Sequence, residues 1–291
     1  MSHRLSLPVF LLLTYFGAAA CAADNGVRSL RDIPYASVSG QTLALDLHLP
    51  SEVRNPQLVV YLHGGAWQNG DKTQYPAFLV ERGFAVASLD FRSTNEAPFP
   101  ANVHDIKAAV RFLRTKATEQ GYRADRIGLI GASSGGHLAA LVGVTSGVRE
   151  LEGSLGEFTN ESSRVDAVVS YFGASNLTTI LAQSTPGGIE VRAPALRKLF
   201  GGSPERRQDI ARVASPVHHV DARDPPLLLL HGDQDAQMPI NQMHELDGAY
   251  EAAGLRADTH VLHGVGHDAA PFFVGEPVER VVAFLKRALG S

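Results

Sequence analysis

The stretch Arg126-Ile-Gly-Leu-Ile-Gly131-Ala-Ser133-Ser134-Gly135-Gly136-His-Leu-Ala-Ala140 passes within a few residues from an apolar strand, through a tight turn, into an apolar helical run. A serine at the tip of such a turn has strained backbone angles, and side chains on its neighbours would clash. Gly131 and Gly135, two positions either side of Ser133, remove those side chains, and Gly136 lets the helix start close to the sheet. The Ser133 hydroxyl is then held clear at a helix N-terminus. There the amide of Ser134 and the positive end of the helix dipole can stabilise a developing oxyanion. The pattern is short, and the near miss Gly173-Ala-Ser175-Asn-Leu177 shows that it needs context.

Upstream, Leu43 to Leu49 alternates apolar and polar residues after the turn Ser39-Gly40, which predicts a half-buried strand ended by Pro50. Gln57 to Leu62 is a run suited to a strand covered on both faces, and it leads directly into His63-Gly64-Gly65-Ala66-Trp67. Phe84 to Leu89 predicts another buried strand, and Phe99 to Gln120 has apolar spacing at helical period. Downstream of the serine, Val165 to Phe172, Pro226 to His231 and Thr259 to Leu262 predict strands, and Pro277 to Leu289 an amphipathic helix. Buried strands alternating with helices imply an α/β fold with a mostly parallel sheet wrapped on both faces. Ligands in such sheets bind beyond the carboxyl ends of the strands. One catalytic domain over residues 24–291 is expected, with an insertion over about 174–217. Gln183 to Pro204, rich in Gly, Pro and Arg, is expected to leave the sheet and cover part of the site.

Composition narrows the function. The formal charge is −4 over 291 residues and the basic residues are scattered, so nucleic-acid binding has little support. Arg4 precedes the apolar run Leu5 to Phe16, which passes into Gly17-Ala-Ala-Ala-Cys21-Ala-Ala23 and Asp24, the pattern of a secretory signal over residues 1–23. That run is too short to span a bilayer comfortably. Two processing routes are open: release after Ala22 or Ala23, or a lipoprotein cut before Cys21 that leaves a lipid anchor. Ala18 stands where lipoproteins usually have Leu, which favours release and a secreted or periplasmic protein. Cys21 is the only cysteine, so the mature domain would hold no disulfide, thiol nucleophile or thiolate metal ligand. No metal or cofactor is expected.

The candidate chemistry gathers at the strand ends. Consecutive glycines after His63 let the loop turn its amides inward, and Gly65 and Ala66 are the expected second part of an oxyanion hole. His63 is expected to brace this loop. Trp67, the only tryptophan, either binds substrate in the acyl pocket or packs. A serine hydroxyl needs a histidine to remove its proton, and the histidine needs a carboxylate to fix its tautomer. His231-Gly232-Asp233-Gln234-Asp235-Ala-Gln-Met-Pro239 offers two acids in one loop, and the residues alone do not choose between them. His263-Gly264-Val265-Gly266-His267-Asp268 follows the next strand, with His267 in a glycine loop at the sheet edge; His260 and His263 are expected to be structural.

From about Val38 to the C-terminus the chain resembles the α/β-hydrolase esterases. Within them it is similar to the group of bifunctional acetyl-xylan and feruloyl esterases and hormone-sensitive-lipase-like carboxylesterases. The likeness rests on HGGAW at 63–67, DFR at 90–92 followed by APFP at 97–100, RIGLIGASSGGHLAALVG at 126–143, ASPVHHV at 214–220, PPLLLLHGDQDAQMP at 225–239 and GVGHD at 264–268. The resemblance implies Ser133 as nucleophile, Asp235 as acid, His267 as base, and the amides of Gly65, Ala66 and Ser134 as oxyanion hole. It favours Asp235 over Asp233 because the family acid stands three residues after the Gly of HG, with Pro four residues on. Two features depart from the pattern. The lipase-like members carry a long helical cap before HGG, whereas the residues before His63 read mainly as strands, which implies a more open site. The related esterases often continue Tyr-Gly with an aspartate-leucine pair, whereas here the run is Tyr171-Phe-Gly173-Ala-Ser-Asn176-Leu177. The resemblance implies a carboxylesterase for small or carbohydrate-linked esters. An amide hydrolase, formamidase-like or a small peptidase, and a non-catalytic binding protein on a hydrolase scaffold are the alternatives.

Overall fold

The computed structural model describes Ala23–Asp24 and Gly26–Gly290. The expected signal segment apart from Ala23, and with it Cys21, lies outside the described residues. The chain folds as β1 (Ala23–Asp24), β2 (Val27–Val38), β3 (Gln41–Pro50), β4 (Gln57–Leu62), α1 (Ala77–Glu81), β5 (Ala85–Leu89), α2 (Ala101–Gln120), β6 (Arg123–Ala132), α3 (Ser134–Gly143), α4 (Arg149–Glu152) and β7 (Ala167–Tyr171). An insertion follows with α5 (Ile180–Gln183), α6 (Pro186–Leu199), α7 (Gln208–Val213) and a 3₁₀ turn at Pro216–His218. The chain then returns through β8 (Leu227–Gly232), α8 (Asn241–Ala252), β9 (Asp258–Leu262) and α9 (Glu276–Leu289).

The strands form one sheet in the order β1-β2-β3-β5-β4-β6-β7-β8-β9. Pairing is antiparallel from β1 to β5 and parallel from β5 to β9. Alternation along the parallel strands sends side chains to two cores. Leu58, Val60, Ile127 and Leu129 pack with α2, α3 and α8 on one face. Val59, Tyr61 and Ile130 pack with α1 and α9 on the other. Successive residues of a strand point to opposite faces, so a strand with helices on both sides must be apolar throughout, and every residue of β4 is buried. No helix among the described residues is long and apolar enough to cross a membrane.

Two expectations are corrected or refined here. The alternation of Leu43 to Leu49 predicts a strand with one wet face, yet Asp46 and His48 are each only 1% exposed. Their polarity is met in part inside the protein, with Asp46 Oδ2 and His48 Nε2 left without a hydrogen-bond partner among the described residues. Lys72 Nζ lies 2.9 Å from the Asp46 carboxylate, while His48 bonds Ser29 Oγ at 2.9 Å and stacks on Tyr75 at 3.7 Å. The compositional break at Gln183–Pro204 is mostly helix. Pro186 sits in the first turn of α6, where its missing N–H costs no intrahelical bond, and the Thr185 hydroxyl caps the helix by accepting from Gly188 N at 3.1 Å.

Candidate active site

The turn that carries the candidate nucleophile lies where β6 meets α3 at the carboxyl edge of the sheet. Ser133 has φ 55° and ψ −119°, a conformation strained for a residue with a side chain. The strain is held from two sides: Ser133 N–H donates to Tyr171 O at 2.9 Å, and its carbonyl accepts from His137 N at 3.0 Å. Glycine is required beside it. A Cβ built on Gly135 would lie 2.2 Å from Leu62 O, and one on Gly131 would lie 2.3 Å from Gly135 O. The turn can form this close to β4 only without those side chains.

The candidate acid and base sit in the loops after β8 and β9, and backbone contacts fix the two loops to each other. Asp233 N donates to Leu262 O at 3.2 Å and Gln234 N to Val265 O at 3.0 Å. His267 Nδ1 stands 2.6 Å from Asp235 Oδ2, and His267 Nε2 stands 2.9 Å from Ser133 Oγ. With a carboxylate at Nδ1, the neutral ring carries its proton there and leaves the Nε2 lone pair for the serine hydroxyl. The other Asp235 oxygen accepts from Gln237 N at 2.9 Å and Met238 N at 2.7 Å. Burial pushes the Asp235 carboxyl up, but the nearby His231 imidazole, the hydrogen bond to His267 and the Met238 amide outweigh it and hold it well below the usual carboxylate range.

Asp233, the other acid of the loop, turns away. It bonds His263 Nδ1 at 2.7 Å and Gly264 N at 2.8 Å on the surface. The choice that the residues alone left open is therefore made by geometry: His267 meets Asp235, and His263 occupies Asp233.

The loop after β4 holds three consecutive residues in the left-handed region, Gly65 at φ 116°, Ala66 at 54° and Trp67 at 62°. It runs beside the nucleophile, since a Cβ built on Gly64 would lie 3.5 Å from Ser133 Cβ. Among the described residues no acceptor takes the N–H of Gly65 or Ala66, and Ser134 N belongs to the first turn of α3, where helical amides have no partner. His63 braces this loop. Its Nδ1–H donates to Gly64 O at 2.8 Å, its ring stacks on Phe91 at 4.4 Å, and burial pushes its pKa down. Trp67 is 2% exposed. The indole packs in this conformation, and the residue also lines a recess beside Gly64 and Ser134. The indole N–H donates to His137 Nδ1 at 3.0 Å, and the Arg192 guanidinium lies 5.9 Å from the ring centroid.

Sequence reading missed Phe172, His231, His137 and Arg192. Phe172, at φ 39°, sets its ring edge-on to the His267 imidazole at 4.9 Å. His231 lies 3.6 Å from Asp235 Oδ2 and 2.9 Å from Met238 O. His137 Nε2–H donates to Ala214 O at 2.7 Å, tying α3 to the insertion. The signals were in the stretches Tyr171-Phe172 and His231-Gly-Asp, at the carboxyl ends of β7 and β8. Arg192 gave no signal.

The chain is similar to several esterases. Esterase LipC of Mycobacterium tuberculosis is 29% identical over 215 residues, 72% of this chain and 52% of that protein. The chain spans about half the length of the curated relatives it matches. A truncated carbohydrate esterase from gut microbiota superposes with TM-score 0.85 at 31% identity, over 94% of this chain and all of that one. A thermophilic esterase of Thermogutta terrifontis does so with TM-score 0.70 at 25% identity, over 90% and 92%. The BD-FAE family profile matches residues 45–250, more than half of the chain. The protein therefore belongs to the BD-FAE family and has the α/β-hydrolase fold of its esterase relatives.

Proposed function

We propose that the protein is a serine carboxylesterase that hydrolyses short-acyl esters, including acetyl or feruloyl groups carried by carbohydrates, outside the cytoplasm. The observation that carries this reading is the unbroken hydrogen-bond chain from Asp235 through His267 to Ser133, at 2.6 and 2.9 Å, beside backbone amides that have no acceptor among the described residues. His267 Nε2 takes the Ser133 proton as Oγ attacks the ester carbonyl, and the amides of Gly65, Ala66 and Ser134 receive the oxyanion. Collapse of the tetrahedral intermediate expels the alcohol, which takes the proton from His267 and leaves an acyl group on Ser133. Water, deprotonated by the same imidazole, then attacks that acyl group and releases the acid. Asp235 keeps the ring oriented and stabilises the imidazolium in both halves.

Two observations support a sugar on the alcohol side. The chain is similar along its whole fold to a carbohydrate esterase. A recess of about 290 Å³ beside Gly64 and Ser134 is lined by hydroxyl, amide and carboxylate groups of Thr42, Gln68, Asn69, Ser93 and Glu96. Export is supported by the leader pattern of residues 1–23. N-terminal sequencing of exported protein should begin at Ala23 or Asp24; a lipid-modified Cys21 would replace release with anchoring.

Ser133→Ala should abolish turnover of aryl acetates while leaving the folded circular dichroism spectrum unchanged. Turnover that survives in this variant removes Ser133 from the nucleophile role. Wild-type rates on acetylated xylo-oligosaccharides, feruloyl esters and N-formyl aromatics then rank the substrate classes, and faster cleavage of the formamides would turn the reading to an amide hydrolase.

A further inference from the structure

Arg192, on the inner side of α6, is 2% exposed, and among the described residues no carboxylate lies within ion-pair distance of it. Removing a cation from water costs several kcal/mol unless its surroundings compensate, and an apolar side chain of similar size would fill the same space without that cost. The compensation here is specific. Nη2 donates to Gln237 O at 2.5 Å, the guanidinium lies over the Trp67 ring, and Nε has no partner among the described residues. Burial pulls the guanidinium pKa down, and the negative charge of Asp235 opposes that.

Each of the two contacts ends on a different part of the site. Trp67 closes the run of left-handed residues that carries the amides of Gly65 and Ala66. Non-glycine residues in that region are strained, so such a run persists only where its surroundings hold it. Trp67 is held by His137 on α3 through its N–H, by Thr94 N through its carbonyl at 2.8 Å, and by Arg192 on α6 through its ring face. Gln237, the second contact, donates its own N–H to Asp235 Oδ1. One guanidinium therefore touches both the loop that presents the oxyanion donors and the loop that orients the acid.

Resting on the esterase reading above, we infer that Arg192 is a positioning residue: docked α6 uses it to set the oxyanion loop and the Asp235 loop together. The insertion helix is then part of the machinery rather than a passive cover. A displacement of α6 releases Trp67 and the Gln237 carbonyl at once.

The test is a double-mutant cycle on kcat with an aryl acetate, alongside the rate at which a fluorophosphonate labels Ser133. Arg192→Met should lower kcat and the labelling rate together, by roughly 10- to 100-fold, the range for losing a residue that orients a reacting group, with KM little changed. Arg192→Lys, which keeps the charge, should recover part of the loss. Glu190→Ala, on the exposed side of the same helix, should match wild type. Trp67→Phe combined with Arg192→Met should be scarcely slower than the slower single variant, because the two share one clamp. Multiplicative effects in the cycle, an unchanged kcat, or a rise in KM with kcat intact would overturn the inference. If Arg192→Met does not fold, Arg192→Lys and Arg192→Gln carry the same cycle. If the wild type hydrolyses no ester, the esterase reading falls, and the labelling rate still decides the role of Arg192.

Discussion

Asp233 and Asp235 have the same side chain, stand two positions apart in one loop, and differ in surroundings. Asp235 is buried and accepts from two backbone amides as well as from His267. Asp233 meets solvent, His263 and Gly264. Asp235→Asn should therefore lower kcat by roughly 10³- to 10⁴-fold, because an amide at that position stabilises the wrong imidazole tautomer. Asp233→Asn should leave kcat within a few-fold of wild type, and the reverse ranking in steady-state assays would move the acid role to Asp233. This choice could not be read from the loop's composition. It depends on which histidine of Leu262-His263-Gly-Val-Gly-His267 reaches which acid, and that is set by the register of β8 against β9, where Gly232 pairs with Leu262. Ser133 and His267 were legible because glycine loops at strand ends are demanded by their backbone geometry. Arg192 was not, because an arginine in a polar-looking segment carries no mark of its burial.

The turn between β6 and α3 works only because two elements touch without side chains between them. A Cβ at position 135 would meet the carbonyl oxygens of Leu62 and His63 at 2.2 and 2.5 Å, both backbone atoms that cannot swing aside. Gly135→Ala should therefore part α3 from the end of β4, at a cost of about 3 kcal/mol in urea unfolding. It should also impair catalysis through the neighbouring oxyanion loop. A variant with wild-type stability and kcat would mean that the turn relaxes freely. Elements were legible where burial on both faces left an uninterrupted apolar run, as in β4 and β8. They were less so where polar side chains are paired inside, as at Asp46 and His48 of β3, or where a helix carries glycines and prolines, one of them, Pro194, in its interior, as in α6.

At the scale of the whole molecule, stability is tied to acidity by histidines that fold neutral. Burial pushes His137 down from 6.5 to about 4, and His48 likewise to about 4. A group whose folded pKa is depressed in this way holds off a proton that the unfolded chain accepts. Its contribution is complete above pH 6.5 and is lost as pH falls toward 4. For the fully buried His137 this amounts to roughly 2 kcal/mol by about pH 5. The urea midpoint should fall between about pH 7 and about pH 5, and the fall should be smaller in His137→Gln; an equal fall in both proteins would assign the acid sensitivity elsewhere. The α/β class and the mostly parallel sheet built by successive crossovers were legible because parallel strands joined by helices leave few arrangements. The antiparallel β2 was hidden, because its half-exposed residues carry no such run. The order of those crossovers has a temporal consequence. His267 follows β9, the edge strand laid down last, while Ser133 and Asp235 belong to strands already paired without it. A nascent chain thus presents the candidate nucleophile and the candidate acid before the candidate base. On the proposed triad, the hydrogen-bond chain through His267 to Ser133 is complete only once residues 258–267 have docked.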